Sequence, residues 1–283
     1  MTMGSNDKTG RWSRIVSFGA LVVLATVLTF PSTARAADDD TKVTYTRIEA
    51  WQVDRASWKS FVEMFEKYDQ PIMEKLMADG AITEWGIDAM ALHSPEGYTH
   101  TTWYSAESLG ALAKAGAAYE SAWEAMDEKS KMDLEAEFAS MVTMHRDYVV
   151  DTENYRAAAG TVDGGYYHGQ FVLVEPGGDR GFHSYWENRM KPIFESLFEK
   201  GIVLAYGLST ENIVTDNPRG HSWWYVVGDA DGLDAVEAAF DASWDELDQE
   251  GRRERWASIK DVVEEDSYRE ELTSIIHWSA KAQ

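Results

Sequence analysis

A self-match at a fixed offset runs through most of this chain. When the chain is shifted by 121 residues without a gap, positions 71–127 align with 192–248, and 14 of the 57 aligned pairs are identical. Unrelated sequences of ordinary composition would match at about one position in seventeen. The identities therefore predict two copies of one unit, at 43–155 and 165–280, joined by a small-residue linker at 156–164.

Both copies have the same predicted order of elements. A strand rich in aromatic and β-branched residues comes first, at 44–53 and 166–174. A helix, a hairpin of two strands, an Ala-rich helix, a charged helix and a short last strand follow. The last strands are predicted at 148–155 and 272–278.

Two matched prolines interrupt the first long helix of each copy. Pro71 and Pro192 lie inside its apolar pattern, and proline removes a backbone donor and clashes with the preceding turn. The helix is therefore expected to kink or restart there. Gly80 and Gly201 are expected to end it.

Strand, helix, hairpin, helix and strand in about 110 residues is the order of the ferredoxin-like, split βαβ unit. Two fused units resemble the dimeric α+β barrel superfamily. The resemblance implies an α+β fold of two tandem ferredoxin-like repeats, whose sheets pack face to face as a pseudo-dimeric barrel around a cavity. Members include haem-degrading and quinol-forming monooxygenases, haem-binding enzymes such as chlorite dismutases, and small-molecule binders. No segment of this chain matches the catalytic motif of any of these families, so no family residue role is assigned to a position here.

Alternation along the strands sorts their side chains into two faces. The more polar face is expected to line the cavity between the sheets, whereas Trp103 and Trp224 on the other face are expected beneath the helices. The predicted ligand-binding residues are Arg47, Glu49, His100 and Tyr104 from the first half and His168, Gln170, His221, Trp223 and Tyr225 from the second.

These residue types are suited to acid and base chemistry. An imidazole titrates near neutrality, a carboxylate can orient it, and a phenol can donate to an anion or a carbonyl. One His could also ligate a haem iron, so haem is a candidate cofactor, and no metal site is assigned. The alternative is that His100 and His221 are matched core residues of a duplicated strand.

The N-terminal segment has the pattern of a signal peptide. A basic start precedes 16 largely apolar residues, Ile15–Phe30, and cleavage is expected after Ala36. A retained anchor is the alternative, but a spanning helix needs about 20 residues. The pattern predicts a periplasmic or secreted protein with a signal peptide at 1–36 and no stable membrane anchor after cleavage.

Composition excludes several classes of function. The net charge is -23, and residues 1–36 carry four basic and one acidic residue, so the rest carries -23 - 3 = -26. This acidic balance argues against nucleic acid and anionic membrane surfaces as partners. With no Cys, the chain has no disulfides, thiolate metal ligands or cysteine nucleophiles.

Three functions stay open at this point. The first is an exported module that binds a small, partly apolar molecule between the two sheets. The second is a haem-binding or cofactor-independent oxygenase-like enzyme that uses His, Tyr and Arg on the sheet faces. The third is a structural or partner-binding protein with a filled core.

Overall fold

The computed structural model describes residues 43–92, 97–213 and 220–281, and the predicted signal peptide at 1–36 lies outside them. The described first half forms β1 (Thr44–Val53), α1 (Trp58–Tyr68), α2 (Gln70–Ala78), β2 (Glu84–Met90), β3 (His100–Ala106), α3 (Leu109–Glu124), α4 (Glu128–Met141) and β4 (Val142–Ala157). The described second half forms β5 (Gly160–Val162), β6 (Tyr166–Leu173), α5 (Asp179–Tyr185), α6 (Lys191–Glu199), β7 (Val203–Ile213), β8 (Gly220–Val227), α7 (Ala230–Asp245), α8 (Gln249–Lys260) and β9 (Arg269–Ala280). A π-helical turn, Trp186–Met190, joins α5 to α6.

Within these described ranges, nine strands form one antiparallel sheet in the order β2-β3-β1-β4-β7-β8-β6-β9-β5. Pairing between β2 and β9, from Glu84 opposite Ala280 to Met90 opposite Thr273, closes the sheet. Eight of the strands therefore form a closed barrel, and β5 adds to β9 at its rim. The helices lie on the outside of this barrel.

The predicted pair of ferredoxin-like repeats with facing sheets is wrong. The chain is α+β, but its strands form a single closed antiparallel barrel. The last strand of each half is longer than predicted, at 142–157 and 269–280, and its second edge pairs with β7 or β2 of the other half. An open sheet edge leaves N–H and C=O groups unpaired, so closure through these long strands removes both edges.

The kink or restart predicted at the matched prolines coincides with a change of helix in both halves. Asp69 separates α1 from α2, and the π-helical turn leads from α5 into α6 without a gap. Helix α2 begins one residue before Pro71, and α6 begins one residue before Pro192. Pro71 is tolerated in the first turn of α2 because the N–H that it lacks has no partner within that helix. Gly80 and Gly201 follow these helices with φ of +79° and +71°, a left-handed conformation that favours glycine at a helix end.

The barrel interior is largely filled by side chains. Its remaining cavity measures about 110 Å³. Gly86 lies opposite Trp103 on the neighbouring strand, and a Cβ at position 86 would be 2.6 Å from Trp103 Cζ2. Gly207 lies opposite Trp224 in the same way, with a 3.0 Å approach. The matched glycines therefore let two indole rings lie against the sheet inside the barrel.

The outer face of the sheet carries two helix-covered cores. Phe61, Phe65 and Leu112 are buried in the first half, and Phe194 and Val236 in the second. The predicted linker contributes regular structure, since 156–157 end β4 and 160–162 form β5. Among the described residues, no helix combines the length and the hydropathy that crossing a membrane requires.

Candidate functional site

The predicted site residues lie on the outer, helix-covered face of the barrel. The interior is lined by the opposite face, including Trp103 and Trp224, which were expected beneath the helices. Alternation separates two faces of a strand, but it does not say which face the helices cover. The location predicted for the site, an enclosed space between two sheets, is therefore corrected to the space between sheet and helices. The role of these residues in binding stays a prediction.

A cavity of about 420 Å³ lies between strands β6, β8 and β9 and helices α6 and α7. Small-molecule sites have volumes of roughly 300–1,000 Å³. Four predicted residues meet in its lining: His168, Gln170, Trp223 and Tyr225. The remaining lining residues are Met190, Phe194, Leu233, Asp234, Val236, Glu237, Phe240, Glu270 and Leu272. We call this space the second-half cavity.

One wall of the second-half cavity is a chain of hydrogen bonds. Trp223 Nε1 donates to Gln170 Oε1, and Gln170 Nε2 donates to Glu270 Oε1 at 3.0 Å. The Tyr268 hydroxyl donates to the same Glu270 oxygen. Glu270 is thereby held with its second oxygen 3.9 Å from His168 Nε2.

The surroundings of His168 favour its neutral imidazole. Burial lowers its pKa, and the charge of Glu270 only partly opposes that effect. Its Nδ1 atom is buried and makes no hydrogen bond within the described part of the chain. The other nitrogen, Nε2, lies on the side of Glu270, and a neutral imidazole at a cavity wall can accept a proton from a bound molecule.

The Tyr225 hydroxyl is a hydrogen-bond donor beside the His168 imidazole. Its ring lies 5.1 Å from that of His168 between centroids, and the residue is 8% exposed. Burial raises the pKa of its hydroxyl, so the phenol stays protonated at neutral pH. The nearby charges of Glu270 and Glu237 raise this pKa further. A protonated phenol can donate a hydrogen bond to a ligand oxygen.

Three carboxylates at the opening of the cavity were missed by the sequence analysis. Asp234, Glu237 and Glu270 are exposed, whereas Trp223 and Tyr225 deeper in the cavity are buried. Acidic residues on helix surfaces are common, so composition does not distinguish this pair on α7. The useful signal was the repeat itself, because Asp234 and Glu237 replace Ala113 and Gly116 of the first half.

The two matched histidines do not line this cavity. His100 is 1% exposed, contacts the rings of Trp58 and Phe61 at 5.1 and 5.0 Å, and lies 3.0 Å from the Thr99 hydroxyl. Burial lowers its pKa to about 4. His221 Nε2 lies 3.2 Å from Asp179 in α5. Both side chains pack within the cores, and their role in ligand binding stays a prediction.

The corresponding positions of the first half form an ion-pair network. Arg47 Nη2 lies 2.9 Å from Glu49 and 3.5 Å from Asp147, and it also hydrogen-bonds Tyr104. Glu49 accepts a further bond from the Thr102 hydroxyl at 3.3 Å. Here Arg47 and Glu49 replace His168 and Gln170, so the two halves offer chemically different surfaces to a ligand.

Buried carboxyls in this fold make stability depend on pH. Burial, followed by the charge of Glu49, raises the pKa of Asp69 to about 8, and burial raises that of Asp88 to about 7. The folded state then holds protons that the unfolded state releases, so the free energy of unfolding falls as pH rises towards these values. The lowered pKa of His100 makes the free energy of unfolding rise with pH, but only below the unperturbed value of 6.5.

We therefore expect the free energy of unfolding to fall between pH 6.5 and pH 8, the upper limit set by Asp69. Urea denaturation across this range measures it. Asp69→Asn should flatten the dependence of the unfolding free energy on pH, because it removes the titrating carboxyl. The amide oxygen can still accept the hydrogen bond from the Tyr119 hydroxyl. Asp133→Asn changes an exposed carboxyl and should leave the pH dependence unchanged. Stability that rises with pH in the wild-type chain would contradict this expectation.

Comparisons with known proteins bear on the fold. No protein-family model and no curated protein matches the chain. It is similar to a protein from Fusobacterium nucleatum described as a putative monooxygenase, with a TM-score of 0.58 and 12% identity over 85% of this chain and 95% of that one. A second protein described as a putative monooxygenase, from Lactobacillus acidophilus, has a TM-score of 0.52 and 12% identity, over 85% of this chain and 97% of that one. A haem-binding protein from Thermus thermophilus has a TM-score of 0.43 and 11% identity, over 85% of this chain and 95% of that one. The chain therefore shares its fold with two monooxygenase-like proteins.

Proposed function

We propose that this chain is an oxygenase-like enzyme that binds a small, partly apolar molecule in the second-half cavity. One observation carries the proposal: a neutral imidazole, His168, and a protonated phenol, Tyr225, lie side by side in a cavity with a partly apolar wall. The shared fold with monooxygenase-like proteins supports this function over the structural alternative.

Haem does not fit the second-half cavity. Haem carries two propionates, which need basic partners in a protein. Among the described residues that line the cavity there is no Lys or Arg, and three are carboxylates. Its single His lies beside Glu270. The proposed reaction therefore uses the protein's own residues, the substrate and O₂.

Each cavity residue has a role in this reaction. His168 would take a proton from an acidic C–H or O–H of the substrate, and Glu270 would stabilise the imidazolium that forms. The Tyr225 hydroxyl would donate a hydrogen bond to the substrate oxygen on which negative charge develops. Phe194 and Phe240 would hold the apolar part of the substrate.

The substrate anion itself would supply the electrons. An electron-rich carbanion or phenolate can reduce O₂ directly, and a methylene carbon that gains one oxygen atom as a ketone releases the second oxygen atom as water. Atoms and electrons then balance without an external reductant. This requires a substrate whose methylene is activated by a neighbouring ring or carbonyl.

Oxygen uptake tests the proposal. With anthrone and 1,8-dihydroxyanthrone as probes, the protein should consume O₂ faster than buffer alone, and mass spectrometry with ¹⁸O₂ should find one labelled atom in the product ketone. Tyr225→Phe should lower the rate by at least about ten-fold, because a donor to a developing oxyanion is lost. Uptake no faster than in buffer would contradict an oxygenase function.

The binding function remains the second candidate, because the cavity has the volume and the mixed walls of a small-molecule site. The same probes separate the two. Binding of a probe that raises the melting temperature, with no oxygen uptake, would favour a non-enzymatic binding protein.

We also propose that the protein is exported to the periplasm or secreted, on the basis of the signal pattern at 1–36. The intact mass of the protein recovered outside the cytoplasm tests this. A mass that begins at Ala37 is expected, and an uncleaved chain in the membrane fraction would contradict the proposal.

A further inference from the structure

We propose that Gln170 is a positioning residue for the proposed reaction: its side-chain amide holds Glu270 against His168 and keeps a second negative charge away from the imidazole. This inference rests on the proposed function, in which His168 takes up a proton. It adds the residue that keeps His168 neutral and therefore able to do so.

Gln170 lies in the middle of a row of three side chains that crosses three strands. Trp223 on β8 and Glu270 on β9 are its direct cross-strand partners. Trp223 Nε1 donates to Gln170 Oε1, and Gln170 Nε2 donates to Glu270 Oε1 at 3.0 Å. A side chain at this position must therefore accept a hydrogen bond on one side and donate one on the other, and an amide does both.

These two bonds fix the direction of the amide and, through it, the carboxylate of Glu270. Because Trp223 Nε1 is only a donor, the carbonyl oxygen of Gln170 faces it and the amide nitrogen faces Glu270. Glu270 Oε1 accepts this bond and another from the Tyr268 hydroxyl. The second carboxylate oxygen is left on the side of His168, 3.9 Å from Nε2.

The first half has the corresponding row with a different charge. Glu49 lies directly opposite Asp147 on β4, and like charges in this position destabilise a pair of strands. Arg47 compensates them, with Nη2 2.9 Å from Glu49 and 3.5 Å from Asp147. The second half has an amide and an imidazole at the matched positions, Gln170 and His168. Two carboxylates thus accompany a permanent cation, whereas a single carboxylate accompanies a neutral ring.

The charge of His168 follows from a balance of opposing effects. Burial lowers its pKa, and the charge of Glu270 raises it. The other titratable groups on this side of the sheet are all acidic: Tyr225 on β8, Tyr268 beside Glu270, and Asp234 and Glu237 on α7. Helix α6 contributes Phe194, which does not titrate, and none of the described lining residues is Lys or Arg. A carboxylate at position 170 would therefore favour the imidazolium, with no cation in the lining to offset it.

Titration of the histidine rings by NMR tests the inference without turnover. In Gln170→Glu, which keeps the size of the side chain, the pKa of His168 should rise by about one unit, because a nearby carboxylate favours the charged imidazole. The His168 resonance is identified by its loss in His168→Gln. Gln249→Glu is the matched control: it makes the same change at an exposed position on α8, outside the cavity, and should leave the pKa of His168 unchanged.

The dependence of oxygen uptake on pH gives a second readout. In Gln170→Glu the acid limb of the profile should move up by about one pH unit, because a base must lose its proton before it can act. Gln170→Met removes both hydrogen bonds and adds no charge. It should lower the rate about five-fold, as expected for the loss of one hydrogen bond that positions Glu270, and leave the acid limb in place. A purely structural residue would change stability and not the position of this limb.

An unchanged pKa of His168 in Gln170→Glu, or an equal rise in Gln249→Glu, would overturn the inference. A wild-type rate in Gln170→Met would overturn the positioning of Glu270. The two proposals fail separately. A raised pKa of His168 in Gln170→Glu, in a protein that consumes no oxygen, would contradict the enzyme function and leave the effect of Gln170 on His168 standing. Oxygen uptake with an unchanged pKa would do the reverse.

Discussion

Replacing His168 with glutamine is expected to lower the rate of oxygen uptake about 100-fold, while the affinity for the probe changes little. Glutamine keeps a polar side chain of similar reach but cannot take up a proton at neutral pH. The imidazole is suited to this step because burial lowers its pKa and leaves it unprotonated. Steady-state oxygen uptake and calorimetric titration of the same preparation measure the two effects separately.

His183→Gln is the matched control. His183 lies in α5, paired with Glu153 at 3.3 Å, and does not border the second-half cavity. Its replacement should leave the rate within about two-fold, as expected for a residue that does not act in the reaction. A His168→Gln protein with the wild-type rate, or an equal loss in both variants, would remove His168 from the proposed mechanism.

Trp186→Ala is expected to cost about 3–5 kcal/mol of the free energy of unfolding. Trp186 is 0% exposed in the core of the second half, and its ring lies 5.7 Å from that of Phe194 and 6.3 Å from that of Tyr206 between centroids. Truncation would leave a cavity among rigid aromatic neighbours that cannot collapse into it. Urea denaturation measures the loss.

Trp186→Phe separates packing from hydrogen bonding at the same position. The indole Nε1 is buried and has no hydrogen-bond partner within the described residues, so phenylalanine removes an unsatisfied donor as well as some volume. The matched residue of the first half is Phe65. The cost should stay below about 2 kcal/mol. If phenylalanine destabilises as much as alanine does, the ring size itself is required.

Local signals predicted the elements of this fold well. The offset of 121 residues places α3 at 109–124 and α7 at 230–245, and the matched prolines mark the helix restarts because proline acts through its own backbone. The closure of the sheet was not predictable in this way. It depends on how far β4 and β9 extend, and the pairing of β2 with β9 joins residues about 190 positions apart, so no local pattern records it.

The site was predicted in part, for a related reason. Alternation correctly grouped Trp223 with Tyr225 and His168 with Gln170, and these four residues meet in the second-half cavity. Alternation could not show which face of the sheet the helices cover, because Trp103 and Trp224 suit a barrel interior as well as a helix interface. The carboxylates Asp234 and Glu237 come from a helix that reaches the cavity only after the chain has folded.

A crystal structure with a bound ligand tests the central claim most directly. The protein should be soaked with anthrone or 1,8-dihydroxyanthrone, the probes of the oxygen-uptake experiment. Ligand density is expected between β8 and α7, in contact with His168, Trp223 and Tyr225. Density inside the barrel against Trp103 and Trp224, or beside Arg47 in the first half, would contradict it.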